Sequence, residues 1–300
     1  MSTVGFIGLG NMGSPMAANL ARGKVDLIVS DANVALADDF AAEHGVRAGL
    51  AESLSEVSTL ILMLPSSEVV ESVLLADGLA NELVPGTLVI DMSSSEPNRS
   101  RTLGGTLAAS DLRYVDAPVS GGVKGAREAT LAIIAGGANQ DVDDARPLFA
   151  LMGRRVFHVG PAGTGHAAKS LNNMVSAVTI AATSEALIAG EQFGIDPHQL
   201  NEVFNASSSR SNTTENKVEQ FMLSGTYDSG FAMSLMAKDL HISDKLAREL
   251  NLTLPVSGAN LALWSEAHHA MPPRSDQTAL YQYLKSTNSQ VDHTTSEETQ

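Results

Sequence analysis

The stretch that most constrains the fold comes first. Val4–Ile7 is a short apolar run, and Gly8-Leu9-Gly10-Asn11-Met12-Gly13 follows it at once. Pro15–Ala21 then reads as a helix, and Leu27–Ser30 as a second strand ending at Asp31. This is G-x-G-x-x-G in the setting that gives it meaning: strand, glycine turn, helix, strand, acid. Gly8 permits the turn, Gly10 lets backbone approach a pyrophosphate, and Gly13 allows close helix–strand packing. The helix N-terminus adds N–H groups and a positive dipole end. By itself the pattern also fits a glycine-rich turn without a ligand; in this setting it points to a dinucleotide lying along Gly8, Leu9, Gly10, Asn11, Met12 and Gly13. Asp31 stands where an acid bonds the adenosine ribose 2′-OH. A carboxylate there repels a 2′-phosphate, and no Arg follows in Ser30-Asp31-Ala32-Asn33, so NAD is favoured over NADP. Asp31 as the N-cap of the next helix fits the same position.

The alternation of strand and helix continues, predicting an α/β domain with a doubly wound, mostly parallel sheet. Thr59–Leu64 is a buried-type strand stopped by Pro65, Glu68–Leu75 is helical, and Leu88–Ile90 is a strand ending at Asp91-Met92-Ser93-Ser94-Ser95. Pro97 opens a helix at a position that tolerates it. Ligands of open parallel sheets lie beyond the carboxyl ends of the strands, which makes Leu64, Pro65 and Ser94 candidate cofactor contacts. Ordinary loop and capping chemistry accounts for them equally well. Arg113–Asp116 and Thr130–Ala135 read as strands. Between them, Ser120-Gly121-Gly122 can aim backbone N–H groups and a hydroxyl at an anion such as a carboxylate; a mobile loop fits the same residues. Val156–Val159 closes the strand series.

After the hinge Pro161–Gly165 no convincing strand follows. From His166 to Phe193, Leu171, Met174, Val178, Ala181, Ala182, Leu187 and Ile188 recur at helical spacing. A helix of that length, ~42 Å at ~1.5 Å per residue, bridges two domains. Lys169 and Asn173 lie one turn apart on it and share a face, which by spacing alone reads as a helix-surface lysine with a polar neighbour as readily as a proton carrier. Further helices are expected from Asp196-Pro197 to Phe204, Phe231 to Leu250, Pro255 to His269 and Asp276 to Lys285, with a loop or broken helix over Ser207–Thr214. Residues 1–162 then form the NAD(P)-binding domain, 163–285 an all-helical domain, and 286–300 a polar, disordered tail.

Composition removes several function classes. The chain has no cysteine, so thiolate metal sites, disulfides and a cysteine nucleophile are excluded. A net charge of -15, from 34 acidic and 19 basic residues, argues against nucleic-acid and anionic-membrane partners. Apolar runs are broken before ~20 positions, so no membrane span is expected. The N-terminus lacks the basic segment of a signal peptide, and the expected address is cytoplasmic. His268-His269 diverge on a helix and His158 and His166 are separated by a glycine turn, so no metal is expected. Nucleophile-elbow and P-loop patterns are missing. Met233 and Met236 read as packing.

Four motifs in order carry a resemblance that spans roughly Val4 to Leu284. They are Gly5-Phe6-Ile7-Gly8-Leu9-Gly10-Asn11-Met12-Gly13, Asp116-Ala117-Pro118-Val119-Ser120-Gly121-Gly122, Gly163-Thr164-Gly165 with Lys169 and Asn172-Asn173, and Lys238-Asp239-Leu240. The chain resembles the β-hydroxyacid dehydrogenases, the family of 3-hydroxyisobutyrate dehydrogenase and tartronate semialdehyde reductase. The resemblance implies a Rossmann domain joined by one long helix to an all-α domain, in a homodimer or homotetramer. It implies Lys169 as the catalytic residue with Asn173 beside it, and Ser120, Gly121 and Gly122 on the carboxylate of a small substrate. Lys238 would lie near the nicotinamide and Ser94 near its ribose. Many members have Ser-Thr where this chain has Ser93-Ser94, which keeps the hydroxyl. The loop Ala206–Thr214 departs from the best-known 3-hydroxyisobutyrate enzymes.

The implied chemistry moves a hydride between a short 3-hydroxy acid, or its semialdehyde, and NAD(H). Lys169 takes the hydroxyl proton only when neutral. Burial, Lys238 and the nicotinamide cation lower its pKa while the substrate carboxylate raises it, and the expected net is ~7–8. Two rivals share the scaffold. Imine reductases of this type usually lack the lysine, and a non-catalytic NAD(P)-binding module would have lost Lys169 or the glycine turn.

Overall fold

In the computed structural model, which describes residues 3–294, the apolar runs of the first half form one sheet. Its strands are β1 (Val4–Ile7), β2 (Leu27–Ser30), β3 (Arg47–Ala48), β4 (Thr59–Leu62), β5 (Leu88–Asp91), β6 (Arg113–Asp116), β7 (Val119–Ser120), β8 (Leu131–Gly137) and β9 (Gly153–Gly160). The order is β3-β2-β1-β4-β5-β6-β8-β7, with β9 also paired to β8. Only β8 runs antiparallel to β6 and β7; the other pairs are parallel. The expected mostly parallel α/β sheet followed by an all-helical region is present. The short β3 and β7 were not anticipated, because two residues carry no periodicity. Register explains β7. Asp116 faces Gly136 and Val119 faces Ile133, so β6 and β7 are one strand interrupted at Ala117-Pro118.

Both faces of the sheet are covered, as a parallel sheet requires. Phe6, Val29, Ile61, Ile90 and Val115 form a row across one face, and Ile28, Leu60, Val89 and Tyr114 a row on the other. Successive residues along each strand therefore alternate between two cores. Full burial of such a side chain contributes about 1.5–3 kcal/mol, which is why these runs read as apolar throughout.

The chain divides into two compact units, Met1–Lys169 and Ser170–Gln300. The division falls inside the helix Thr164–Phe193. Among the described residues this helix is, by length and composition alone, long and apolar enough to cross a membrane, and half of its most apolar window is buried. It also buries Lys169, Ser170, Asn173 and Ser184, the polar side chains of a core helix. In the second unit it packs with Pro197–Ala206, Met233–Glu249, Pro255–Ala270 and Leu280–Thr294 around fully buried Trp264. Met233 and Met236 lie in that core, and the Asp196 carboxylate caps Pro197–Ala206 by accepting from the N–H groups of His198 and Gln199.

The last helix corrects the tail. It runs to Thr294, not Lys285, and residues 295–300 lie outside the described part. Ser286, Thr287, Asn288 and Ser289 each return a side-chain hydrogen bond to a carbonyl three or four residues earlier. These bonds satisfy the polar side chains locally on a backbone that already continues the helix begun at Leu280.

Candidate active site at the carboxyl edge of the sheet

Ser30, Ile7, Leu62, Asp91, Asp116, Gly136 and Gly160 stand side by side in register along one edge of the sheet. The candidate site residues of the first unit leave this row. Gly8–Gly13 follow Ile7, Asp31 follows Ser30, Leu64-Pro65 follow Leu62, Ser94 follows Asp91, and Ser120-Gly122 follow Asp116. Lys169 comes after Gly160, just inside the long helix. Asn173 and Lys238 belong to the second unit.

The glycine loop is built as its pattern requires. Gly8 has φ of 100°, and a Cβ there would lie 2.3 Å from the Met63 carbonyl oxygen. A Cβ on Gly13 would lie 1.8 Å from the Gly8 carbonyl oxygen, so the helix Gly13–Arg22 can approach only without one. Gly10 differs: nothing lies within 4 Å of its Cβ position. It lines an open cradle that a side chain would fill. The Gly8 N–H donates to the Ser30 carbonyl and the Leu9 N–H to Asp31 Oδ2 at 2.7 Å, so the turn is tied to the end of β2. Asp31 is not the N-cap of the next helix; Asn33 is, and Asp31 Oδ1 accepts the Asn33 N–H. An acid fixed beside an open glycine cradle and a helix N-terminus fits the diphosphate and adenosine ribose of a dinucleotide.

Next along the edge, the Leu64 N–H donates to Ser93 Oγ at 2.9 Å, joining the loops after β4 and β5. Ser120 is half-buried, and Gly121 and Gly122 take φ of 133° and 62° as the short helix Gly122–Arg127 begins. Lys169 is buried, 7 % exposed.

In the second unit Asn173 is also buried, and its Nδ2 donates to Oδ2 of buried Asp239. The Asn173 Oδ1 accepts from Asn172 Nδ2 at 3.1 Å. The third and fourth motifs are thus joined by a side-chain bond, and Asp239 fixes which way the Asn173 carboxamide faces. Among the described residues no cluster of three or more His, Asp or Glu could hold a metal.

A dinucleotide-binding fold followed by a helical region with a buried lysine near its start matches known proteins over most of its length. Residues 3–160 match the NAD-binding domain of 6-phosphogluconate dehydrogenase, and residues 163–284 match the NAD-binding region of NADP-dependent 3-hydroxyisobutyrate dehydrogenase. The 2-(hydroxymethyl)glutarate dehydrogenase of Eubacterium barkeri is 33 % identical, over 92 % of this chain and 93 % of its own. The chain belongs to the β-hydroxyacid dehydrogenase family. As a β-hydroxyacid dehydrogenase it is an NAD(P)-dependent oxidoreductase. The NAD-dependent L-serine dehydrogenase of Pseudomonas aeruginosa is 36 % identical over 88 % of this chain and 91 % of its own. The structure of a Mycobacterium tuberculosis 3-hydroxyisobutyrate dehydrogenase with L-serine superposes with a TM-score of 0.89 at 32 % identity, covering 95 % of this chain and 99 % of that one.

Sequence reasoning did not single out His166, Asp91, Asp116 or Asp239 as site-building residues of this β-hydroxyacid dehydrogenase. All four are buried. The available signal was acidic residues ending two otherwise apolar strands, at Asp91 and Asp116. Its meaning depended on a histidine brought from a distant segment.

Proposed function

We propose that this protein oxidises a short 3-hydroxy acid carrying a primary alcohol to its semialdehyde, or runs the reverse reduction, with Lys169 as general acid–base. The observation that carries this is Lys169 itself, a buried lysine at the start of the long helix in a chain of this family. The names of the relatives add the substrate class. L-Serine, 3-hydroxyisobutyrate and 2-(hydroxymethyl)glutarate share one skeleton, a hydroxymethyl group on the carbon next to a carboxylate.

A dinucleotide held at Gly8–Gly13 would supply the hydride acceptor. Neutral Lys169 takes the hydroxyl proton as the carbon gives up its hydride, and protonated Lys169 returns it to the carbonyl oxygen in reduction. Asn173, one turn further along the same helix, orients the lysine or the hydroxyl. Ser120, Gly121 and Gly122 hold the substrate carboxylate through the hydroxyl and backbone N–H groups. Ser94 serves the nicotinamide ribose, Lys238 the nicotinamide end, and Leu64 and Pro65 line the cofactor path. Asp31 favours NAD, since its carboxylate repels a 2′-phosphate. The assembly proposed is a homodimer or homotetramer.

Lys169→Ala tests the reading. Turnover of 3-hydroxyisobutyrate, L-serine and 2-(hydroxymethyl)glutarate with NAD should fall by about 10²–10⁴-fold, the usual scale for a positioned proton carrier. NADH should still bind by fluorescence titration. Near-normal kcat in that variant would remove Lys169 from the mechanism.

A further inference from the structure

His166 is fully enclosed and takes no part in the chemistry above. Its Nε2 lies 3.0 Å from the Ser93 carbonyl oxygen, and its Nδ1 lies 2.7 Å from Ser100 Oγ. A carbonyl only accepts, so Nε2 carries a hydrogen. Two buried carboxylates flank the ring. Asp116 Oδ2 is 3.7 Å from Nδ1, and Asp91 Oδ2 is 3.9 Å from Nε2. Asp116 and Asp91 are register neighbours ending β6 and β5. Asp116 also accepts the N–H of Gly163 on Oδ1 at 2.7 Å and that of His166 on Oδ2 at 2.8 Å. It therefore caps the first turn of the long helix from the sheet.

The packing is as close as the bonds indicate. A Cβ on Gly163 would lie 2.5 Å from the Pro97 carbonyl oxygen, and one on Gly165 would lie 2.4 Å from that of Ile134. The glycines of Gly163-Thr164-Gly165 are thus what lets the helix start against the sheet edge.

Two roles for His166 can be set aside. A metal site lacks its ligands, since no group of three or more His, Asp or Glu among the described residues could hold an ion, and both ring nitrogens are already engaged by Ser100 Oγ and the Ser93 carbonyl. A ring 1 % exposed with both nitrogens committed cannot exchange a proton with a substrate. What remains is mechanical. His166 ties the helix to the Ser93 carbonyl, and Ser93 Oγ accepts the Leu64 N–H. One chain of hydrogen bonds thus runs from the loops after β4 and β5, where Leu64, Pro65 and Ser94 stand, to the helix. Lys169 lies three residues beyond His166, on the same side of the helix and about 4.5 Å along it.

We propose that His166 is a positioning residue. Its Nε2 bond to the Ser93 carbonyl, with the Asp116 cap, sets the rotation and height of the helix's first turn, and so places Lys169 against the loops of the cofactor edge. This rests on the proposed role of Lys169. A displacement of about 1 Å far from the reacting atoms can cost on the order of 10²-fold in rate.

The test compares full-length His166→Gln, His166→Asn and His166→Leu with Lys169→Ala. Glutamine can still donate from the place of Nε2, whereas asparagine reaches only the place of Nδ1 and leucine neither. Leucine and asparagine should lower kcat at least about tenfold, with NADH affinity changed by less than about threefold, and glutamine should recover most of the rate. Leucine in the Lys169→Ala background should cost nothing more. A second readout needs no turnover: the rate at which Lys169 is reductively methylated in cofactor-free protein, followed by mass spectrometry, should change in the asparagine and leucine variants and be restored by glutamine. If leucine does not fold, asparagine against glutamine decides. Equal kcat and equal labelling in those two overturn the proposal. Normal kcat in Lys169→Ala overturns the role of Lys169 instead, and the labelling rates still decide whether His166 sets its surroundings.

Discussion

The Leu9 N–H donates to Oδ2 of Asp31 at 2.7 Å, across 22 positions of sequence. One carboxylate thereby shapes the glycine turn and places its charge beside it. Asp31→Ala removes both effects. A hydrogen bond to a charged group contributes about 1.5–3 kcal/mol, so NADH affinity should fall roughly 10- to 100-fold. NADPH should lose less, because the repulsion on its 2′-phosphate goes too. Paired fluorescence titrations measure the ratio; an unchanged NADH-to-NADPH preference would contradict the role given to Asp31.

Gly10 and Gly13 separate binding from folding. The Gly10 Cβ position is open, whereas that of Gly13 lies 1.8 Å from the Gly8 carbonyl oxygen. Gly10→Ala should melt within a degree or so of the parent yet bind NADH at least about tenfold more weakly, about 1.4 kcal/mol. Gly13→Ala should lose thermal stability as well, since backbone must move. Calorimetry with binding titration distinguishes them, and equal melting temperatures for the two variants would refute the close approach.

Asp239 holds Asn173 by a buried side-chain bond. In Asp239→Asn the partner charge is gone and the Asn173 carboxamide can turn over. If Asn173 orients the proposed proton carrier Lys169, kcat should fall about tenfold, about 1.4 kcal/mol of transition-state stabilisation, while NADH affinity stays within about twofold. A loss confined to NADH binding would place Asn173 elsewhere in the mechanism.

Burial pushes the Asp116 carboxyl up to about 6, with the His166 ring and the N–H groups of His166 and Gly163 pulling down and Asp91 pushing further up. The neighbouring Tyr114 phenol, which also faces this cluster, is held well above its ordinary value by burial and then by Asp91 and Asp116. Between the ordinary carboxylate value of 3.8 and about 6 the folded state holds more protons at Asp116 than the unfolded state does. Its contribution to stability therefore declines as pH rises through that window, by at most about 1.4 kcal/mol per pH unit for one proton. The stability of the parent relative to Asp116→Asn, from urea unfolding, should fall between pH 4 and pH 6 and level off above. A flat difference across that range would mean that Asp116 does not carry the titration.

Local chemistry was legible wherever one segment contained its own reason. Gly8, Gly10 and Gly13 are separated by fixed steps, and the turn they make needs nothing from elsewhere. The strands Val4–Ile7, Leu27–Ser30 and Leu88–Asp91 carry no polar residue before their last position because both faces are covered, and the long helix shows its period over thirty residues. Where a segment's state depended on distant partners, reading it alone fell short. The polar run after Lys285 continues the helix begun at Leu280, and Val119–Ser120 is a strand because Leu131–Gly137 pairs with it.

The sequence by itself determined a mostly parallel sheet with a glycine cradle, a helical second half, and a lysine at the start of the helix that follows the sheet. Tertiary structure decided what holds these parts. Only folding brings His166 between Asp91 and Asp116, residues 75 and 50 positions away, and only folding sets Asp239 against Asn173. The physical reason is that a buried polar side chain must find its partner in the folded interior, and that partner is supplied by topology rather than by sequence spacing.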